Sequence, residues 1–296
     1  MKKRDVLSSP RLLEIKKKKR RVLKIKLAFF LAGLIVVFVG LCFLSRIPKL
    51  NIANIEVVGN KIVETDDIKK VAEGELTGFY LWFLPKTNFT LYPKGRIALL
   101  LGEQHTRLKD INLNLKKDGV LEISVGERVG LYTWCGETLP SLGVKPEETK
   151  CYFMDESGYI FDEAPYFSND VYLKFFGITD KGVSEDPTGS RYLPDYFSAM
   201  THFMENIISL DIKPSSLLVK ENGKVKGEIE IYLSSNILPP SAPRIIFNKG
   251  DDLVKLAENL QASVDADPFK TELKEKREKL EYIDLRFDNR VYYKFK

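Results

Sequence analysis

The sequence predicts an α+β protein: a single N-terminal transmembrane helix, a strand–helix–helix–strand–strand module, and a mainly antiparallel β module with flanking helices. Three observations lead to this fold class. Residues 27–44 carry no charge. Two segments with apolar residues at helical spacing precede a hairpin-like alternation near residues 111–125. Further alternating runs recur through the second half, and 296 residues suffice for two domains beyond a membrane segment.

The uncharged segment has no polar face, as its letters show: LAFFLAGLIVVFVGLCFL. A helix of that length spans roughly 27 Å, close to the ~30 Å hydrocarbon core of a bilayer. A cleaved signal peptide is the main rival, but it would be shorter and would end at small residues. The exit here is Phe43-Leu44-Ser45-Arg46. We therefore predict a tail over residues 1–26 and a transmembrane helix over 27–46.

The tail fixes the predicted orientation. Residues 1–26 hold twelve Lys and Arg against two acids, a net charge of +10, so the remaining 270 residues sum to −5. Basic residues beside a span stay in the cytoplasm and also contact anionic lipid. We expect a single-pass membrane protein with its N-terminus in the cytoplasm and its C-terminus outside it. The acidic remainder argues against nucleic acid as a partner.

The first module is predicted over residues 50–126. A strand at 54–58 is followed by a helix with Thr65 as its N-cap and Gly74 near its end. A second helix opens at Pro93. Alternating residues at 111–115 and 121–125 then predict a hairpin, so two helices can cover one face of a three-stranded sheet.

The second module is predicted over residues 127–296. Its elements, in order, are a hairpin at 151–155 and 159–162, a helix from Pro194, a hairpin at 217–219 and 226–233 around Asn222-Gly223, a strand at 244–247, a helix from about Asp251, a charged and partly helical segment at 267–279, and strands at 282–286 and 289–293.

Several phrases, in this order and spacing, resemble the FtsQ/DivIB family of bacterial cell-division proteins, which carry a membrane-anchored POTRA domain and a C-terminal β domain. The phrases are Ile55–Asn60, Leu121–Arg128 before a strand ending in Trp134, the D..G.(V/I)F pattern at Asp155, Gly158, Ile160 and Phe161, and the (Y/V)(I/V)DLR phrase at Tyr282–Arg286. The resemblance is poor across 136–150, 178–193 and 262–280, where this sequence carries extra loops.

The resemblance implies a non-enzymatic divisome scaffold of the bacterial inner membrane that recruits and links membrane proteins at the septum. Its implied partners are other divisome proteins, especially FtsB/FtsL-type coiled-coil proteins. Two rival classes remain open. A POTRA-bearing translocation or secretion component would usually repeat the module or add a barrel. An anchored extracytoplasmic enzyme would need a pocket with perturbed titratable groups.

The sequence offers no recognisable catalytic motif. Its two histidines, His105 and His202, belong to no metalloprotease, nucleophile or phosphate-loop pattern. Both fall in predicted helices and are interpreted as structural. We predict no catalytic, metal-binding or cofactor-binding residue and no cofactor.

Two of the three cysteines, Cys135 and Cys151, flank a loop outside the cytoplasm, where disulfides persist. A disulfide between them is favoured, and two free thiols are the alternative.

The last strand is the predicted partner-binding site. Its residues are Val291, Tyr292, Tyr293, Lys294 and Phe295. A strand at the end of a sheet has free backbone groups that a partner strand can pair with. The alternative is that these residues only complete the core.

The predicted topology can be tested with reporters fused after Lys296. The basic tail should hold the N-terminus in the cytoplasm, which places the C-terminus outside it. A reporter that works only outside the cytoplasm should therefore be active at this position. A reporter active only in the cytoplasm should be silent at the same position, and the reverse pattern would contradict the topology.

Overall fold

The computed structural model describes residues 10–141, 149–167, 171–182, 184–220, 227–287 and 289–296, with side chains from residue 14 onward. The chain forms two compact units. The first runs up to Leu101 and includes Asp110–Val125, and the second contains Gly102–Lys109 and Gly126–Lys296. The short segment 102–109, which the sequence assigned to the first module, thus belongs to the second unit.

The first unit begins with one long helix and continues into a small α+β fold. The elements that start in it are α1 (Pro10–Ser45), a 3-10 turn (Pro48–Leu50), β1 (Asn54–Val58), α2 (Thr65–Leu76), β2 (Phe79–Tyr80), β3 (Leu84–Pro85), α3 (Lys94–Gln104), β4 (Leu108–Leu115) and β5 (Val120–Glu127). The sheet order is β1-β5-β4, with β1 parallel to β5. The predicted first strand and the hairpin are confirmed.

Among the described helices, α1 is the one long and apolar enough to cross a membrane, over Glu14–Ser45. The helix meets the criteria of length and composition for a membrane span, which an N-terminal signal sequence also meets. The helix starts well before the predicted span, because the basic residues that precede it continue the helical backbone.

Two details of α2 differ from the prediction. The N-cap is Glu64, one residue before the predicted Thr65, and its side chain makes no capping hydrogen bond. Gly74 lies inside the helix, which continues to Leu76. Leu76 is buried with Ile68 and Ala72, so burial of an apolar residue outweighs the low helix propensity of glycine.

The second unit is built on one large sheet. Its further elements are β6 (Tyr132–Trp134), β7 (Cys151–Met154), β8 (Ile160–Ala164), β9 (Lys174–Phe176), α4 (Phe197–Ser209), β10 (Pro214–Lys220), β11 (Glu228–Leu233), β12 (Arg244–Asn248), α5 (Leu253–Asp265), α6 (Phe269–Lys276), β13 (Leu280–Phe287) and β14 (Arg290–Phe295). The predicted turn at Asn222-Gly223 lies outside the described residues.

The nine described strands of this sheet run in the order β14-β13-β12-β11-β10-β9-β6-β7-β8. The sheet is mixed, with five antiparallel and three parallel pairs. The prediction of a mainly antiparallel module did not foresee the parallel pairs. Two of them involve β9, a three-residue strand that the sequence reading missed.

One face of this sheet carries the main core, to which helices α4, α5 and α6 contribute. The apolar stripe of α4 is buried through its members Phe197, Met200, Phe203, Met204 and Ile207. Ile208, also predicted in that stripe, is exposed. The helix starts at Phe197, three residues after the predicted Pro194, because residues 194–196 form a turn. Side chains from β9 to β13 supply the opposite half of the core.

A buried aspartate organises the turn between β7 and β8. Asp155 Oδ1 accepts hydrogen bonds from the Ser157 backbone N–H, the Ser157 hydroxyl and the Tyr159 backbone N–H, at 2.9, 2.7 and 3.1 Å. Arg128 forms an ion pair with the other carboxylate oxygen. Gly158 completes the turn at φ +76°, and a Cβ there would lie 2.8 Å from the Tyr192 carbonyl oxygen. The D..G pattern therefore has a structural cause.

Burial alone would raise the pKa of the Asp155 carboxyl. The hydrogen bonds from Ser157, Arg128 and Tyr159 outweigh burial and hold the pKa below its usual range. Because the folded-state pKa is depressed, the stabilisation is present above the ordinary Asp pKa of about 3.9. It is lost as the pH falls through the folded-state pKa.

We therefore expect Asp155→Asn to lower the free energy of unfolding by about 2 kcal/mol near pH 7, because it removes a hydrogen-bonded charge. Chemical denaturation at several pH values measures this, and the difference should narrow below about pH 4. The exposed neighbour Glu156→Gln is the matched control. Equal stability of the Asp155→Asn and unsubstituted chains at pH 7 would contradict this account.

Candidate functional site

Strand β14 forms one end of the large sheet. It pairs with β13 in antiparallel register, with Ile283 opposite Tyr293 and Asp284 opposite Tyr292. No described strand pairs with its other side. The five residues that the sequence predicted as a partner-binding site therefore lie together on an open edge.

Alternate side chains of β14 point to different surroundings. Val291, Tyr293 and Phe295 are partly buried and pack against the main core. The Tyr293 ring stacks on Phe269 of α6 with the ring centroids 4.2 Å apart. Burial raises the pKa of the Tyr293 hydroxyl. The interpretation of β14 as part of the core therefore applies to these three alternate residues.

The other half of β14 faces outward. Tyr292 is 46% exposed and makes an edge-to-face contact with Phe287 of β13, which is 52% exposed, at 5.1 Å. Lys294 forms an ion pair with Glu281 at 2.8 Å. That hydrogen bond from Lys294 holds the pKa of the Glu281 carboxyl below its usual range. An aromatic pair and a lysine therefore lie on the face of the sheet away from the main core, next to the open edge.

The backbone of β14 also alternates. The Lys296 N–H donates to the Lys279 carbonyl at 2.7 Å, so the backbone of Lys296 faces β13. In an antiparallel strand the same orientation repeats every second residue. The backbone N–H and C=O groups of Lys294 and Tyr292 therefore face β13. The backbone groups of Phe295, Tyr293 and Val291 face the open edge. These are the groups that an added strand would pair with.

Charged side chains on the opposite face of the sheet hold β13 in place. Arg286 donates to Asp284 at 2.5 and 2.9 Å, and its Nη1 lies 2.6 Å from Glu228 Oε2 on β11. The hydrogen bond with buried Asp284 raises the pKa of Arg286. Arg286 therefore links β13 to β11 across the intervening strand β12. The DLR phrase thus supports the strand on which β14 rests.

A second cluster continues this network along β10, β11 and β12. Glu230 is buried, and its Oε1 lies 2.8 Å from Lys220 Nζ and 3.2 Å from Arg244 Nε. The Tyr232 hydroxyl donates to the same carboxylate. Burial, together with that bond to Glu230, raises the pKa of Tyr232. Neighbouring strands are therefore cross-linked by charge on the face away from the helices.

A disulfide joins Cys135 and Cys151. The register of β6 and β7 explains the pairing, because Trp134 lies opposite Tyr152. The adjoining residues, Cys135 and Cys151, therefore also lie opposite each other. Residues 142–148 of the intervening loop lie outside the described residues. The bond ties the end of β6 to the start of β7.

A cavity of about 230 Å³ lies beside this disulfide. Its walls are largely apolar and include Leu139, Tyr166, Phe176 and Leu238. Among its described lining residues, Lys174 is the one charged side chain. The cavity can enclose an apolar group of side-chain size.

The sequence reading missed two residues that hold the edge in place. Phe269 is the one aromatic residue of the charged segment 267–279, and Glu281 directly precedes the Tyr282–Arg286 phrase. A single large aromatic residue in a charged helix is the signal that could have identified Phe269. His105 and His202 lie apart from this edge, and the described residues contain no cluster of three or more potential metal ligands.

No family model matches the sequence, and no curated protein matches it.

Removing the disulfide should destabilise the protein. We expect the double substitution Cys135→Ser and Cys151→Ser to lower the free energy of unfolding by about 3 kcal/mol, because the closed loop no longer restricts the unfolded chain. Chemical denaturation measures this, and Cys42→Ser is the control that leaves the bond intact. Mass spectrometry of unreduced, proteolysed protein should find the two peptides linked. Two alkylatable thiols in exported protein would contradict the disulfide.

Proposed function

We propose that this chain is a non-enzymatic scaffold of the bacterial division machinery, anchored in the inner membrane and similar to FtsQ and DivIB. In this proposal α1 crosses the membrane with its basic end in the cytoplasm. The part of the first unit that follows α1 and the whole second unit then lie outside the cytoplasm and link other membrane proteins at the septum.

The order of elements supports this proposal. The strand–helix–helix–strand–strand order after α1, with the first strand parallel to the last, is the arrangement expected of a POTRA domain. A larger sheet with flanking helices follows it. Two of the sequence motifs that resemble the family also contact each other: Arg128 of the E-R pair forms an ion pair with Asp155 of the D..G pattern.

The open edge of β14 is the observation that carries the proposal. Its outward backbone groups fit a partner that adds an extended strand, and its exposed aromatic pair offers apolar contact to that strand. Aromatic residues dominate the energy of such interfaces. Lys294 discourages unspecific pairing between sheet edges. We assign the added strand to an FtsB/FtsL-type coiled-coil membrane protein.

The alternation of backbone groups allows a matched test. Tyr293→Pro removes an N–H that faces the open edge, where proline is tolerated in an edge strand. Tyr292→Pro removes an N–H that faces β13 and should instead destabilise the sheet. Tyr293→Leu keeps the N–H while removing the aromatic ring. We expect Tyr293→Pro to leave the fold intact by circular dichroism and to weaken partner binding roughly tenfold or more.

Binding is measured by capture of the coiled-coil partner, and the same variants are expressed in cells depleted of the native protein. Tyr293→Pro should leave those cells filamentous, whereas Tyr293→Leu should restore division more fully. Full binding by a folded Tyr293→Pro protein would refute strand addition. Normal division after depletion of the native protein would refute the division role.

A further inference from the structure

The tip of the β2–β3 hairpin presents consecutive apolar residues to solvent. Phe79, Leu81, Trp82 and Phe83 are each at least half exposed, and Trp82 is 89% exposed. Tyr80, within the same run, is 36% exposed. Soluble surfaces rarely expose such a continuous apolar patch unless it contacts something.

The backbone of this tip is strained. Leu81 and Trp82 both have positive φ, +48° and +71°, and the Phe83 N–H donates to the Tyr80 carbonyl at 3.1 Å. Three residues, 81–83, separate Tyr80 from its partner Leu84. The hydrogen bond from Phe83 to Tyr80 closes a turn whose two central residues both have positive φ, a conformation for which Asn and Gly are favoured. Large side chains in a left-handed conformation are uncommon, and such strain occurs preferentially at functional sites. The tip therefore keeps two large apolar residues where folding alone would favour small ones.

The hairpin lies against the apolar helix α1. The Phe83 ring meets the Phe38 ring edge to face, with the centroids 6.2 Å apart. Phe38 lies seven residues before Ser45, the last residue of α1, which is about 10 Å along a helix. The tip thus runs beside the segment that would lie in the hydrocarbon core rather than beyond its end.

Hydrogen bonds fix the hairpin in this position. The Ser45 carbonyl at the end of α1 accepts from the Asn51 and Asn88 side-chain amides, at 2.9 and 3.2 Å. Thr87 donates to the Asn51 amide oxygen at 2.9 Å. Because residues 87 and 88 follow β3 directly, the hairpin is held to the final turn of the helix.

Cations surround the base of the hairpin. Arg46 lies over the Phe79 ring at 5.7 Å, and Lys86 lies over the Tyr80 ring at 5.9 Å. Aromatic rings at the level of lipid headgroups, with basic side chains beside them, are typical of membrane interfaces.

We propose that the Phe79–Phe83 tip is a second membrane contact, which inserts into the lipid leaflet from which α1 emerges. The occupant is the bilayer itself, because the patch is continuous with the apolar surface of α1 through the Phe83–Phe38 contact. Trp82 and Leu81 enter the acyl-chain boundary while Arg46 and Lys86 contact phosphate groups. The inference rests on the proposed membrane anchoring by α1.

Trp82 is its own probe, since the chain has two tryptophans and Trp134 is buried. The full chain carrying Trp134→Phe is reconstituted into phosphatidylcholine and phosphatidylglycerol vesicles. Lipids brominated on their acyl chains should quench most of the Trp82 emission, and aqueous iodide should quench little of it. The control is the Trp82→Phe chain, in which the remaining Trp134 should be insensitive to brominated lipid.

A second measurement uses the unsubstituted chain. Amide hydrogen exchange of residues 79–86 should be slower in vesicles than for the paired substitution Leu81→Asn with Trp82→Gly, which keeps the turn and removes the apolar tip. Trp82 that is quenched by iodide but not by brominated lipid would overturn the inference. So would protection of Trp82 that arises only when a partner's transmembrane helix is added.

Resistance of the same vesicles to alkaline extraction reports on α1 alone. If the protein resists extraction but Trp82 is exposed to water, only this inference is contradicted. If alkaline treatment extracts the protein, the proposed membrane-anchored function is contradicted as well.

Discussion

The described part of the nine-stranded sheet carries helices on one face only, and much of the second unit follows from this constraint. Burial of the α4 stripe and of alternate residues in β9–β13 fills that face with apolar side chains. No described helix covers the opposite face, and its charged side chains pair with one another. Ion pairs around Glu230 and Arg286 lie near β10–β13, and the disulfide with a small apolar cluster lies near β6 and β7.

The same constraint shapes the two ends of the sheet. At β14 the helices still cover one face, which explains why Tyr293 stacks on Phe269 while Tyr292 remains exposed. The interpretation of this strand as part of the core therefore holds for Val291, Tyr293 and Phe295, and docking at its open edge stays a prediction. An edge that is rigid on one face and open along its backbone is well suited to accept an extended strand with little rearrangement.

Elements with a strong local pattern were predictable from sequence. The alternation at 121–125 and the helical stripe of α4 identify their elements because each periodicity matches one type of secondary structure. Strand β9 was missed because three residues are too few to show a period, and its partners lie about forty residues away on either side. Tertiary burial also moved helix ends, as Leu76 shows beyond Gly74.

The candidate site was predictable in part for the same reason. The sequence located the terminal strand, since an apolar-rich run, Val291–Phe295, follows the turn residues Asp288-Asn289-Arg290. Which of its amides face outward depends on the register with β13, and that register includes two irregularities that no local pattern encodes. The positive φ angles at Leu81 and Trp82 were equally hidden, because neither residue is typical of such a turn.

Strand β9 also has a kinetic consequence. It joins β6 to β10, and both pairings are parallel and three residues or fewer in length. On either side of β9, the antiparallel pairs β6–β7, β7–β8, β10–β11, β11–β12 and β13–β14 join consecutive strands, which favours rapid pairing. The third parallel pair, β12 with β13, forms across α5 and α6. Each pairing of β9 brings together strands about forty residues apart in the chain, at a loop-closure cost in entropy. We therefore expect the pairings of β9, which join β8 to β14 in one sheet, to form late in folding.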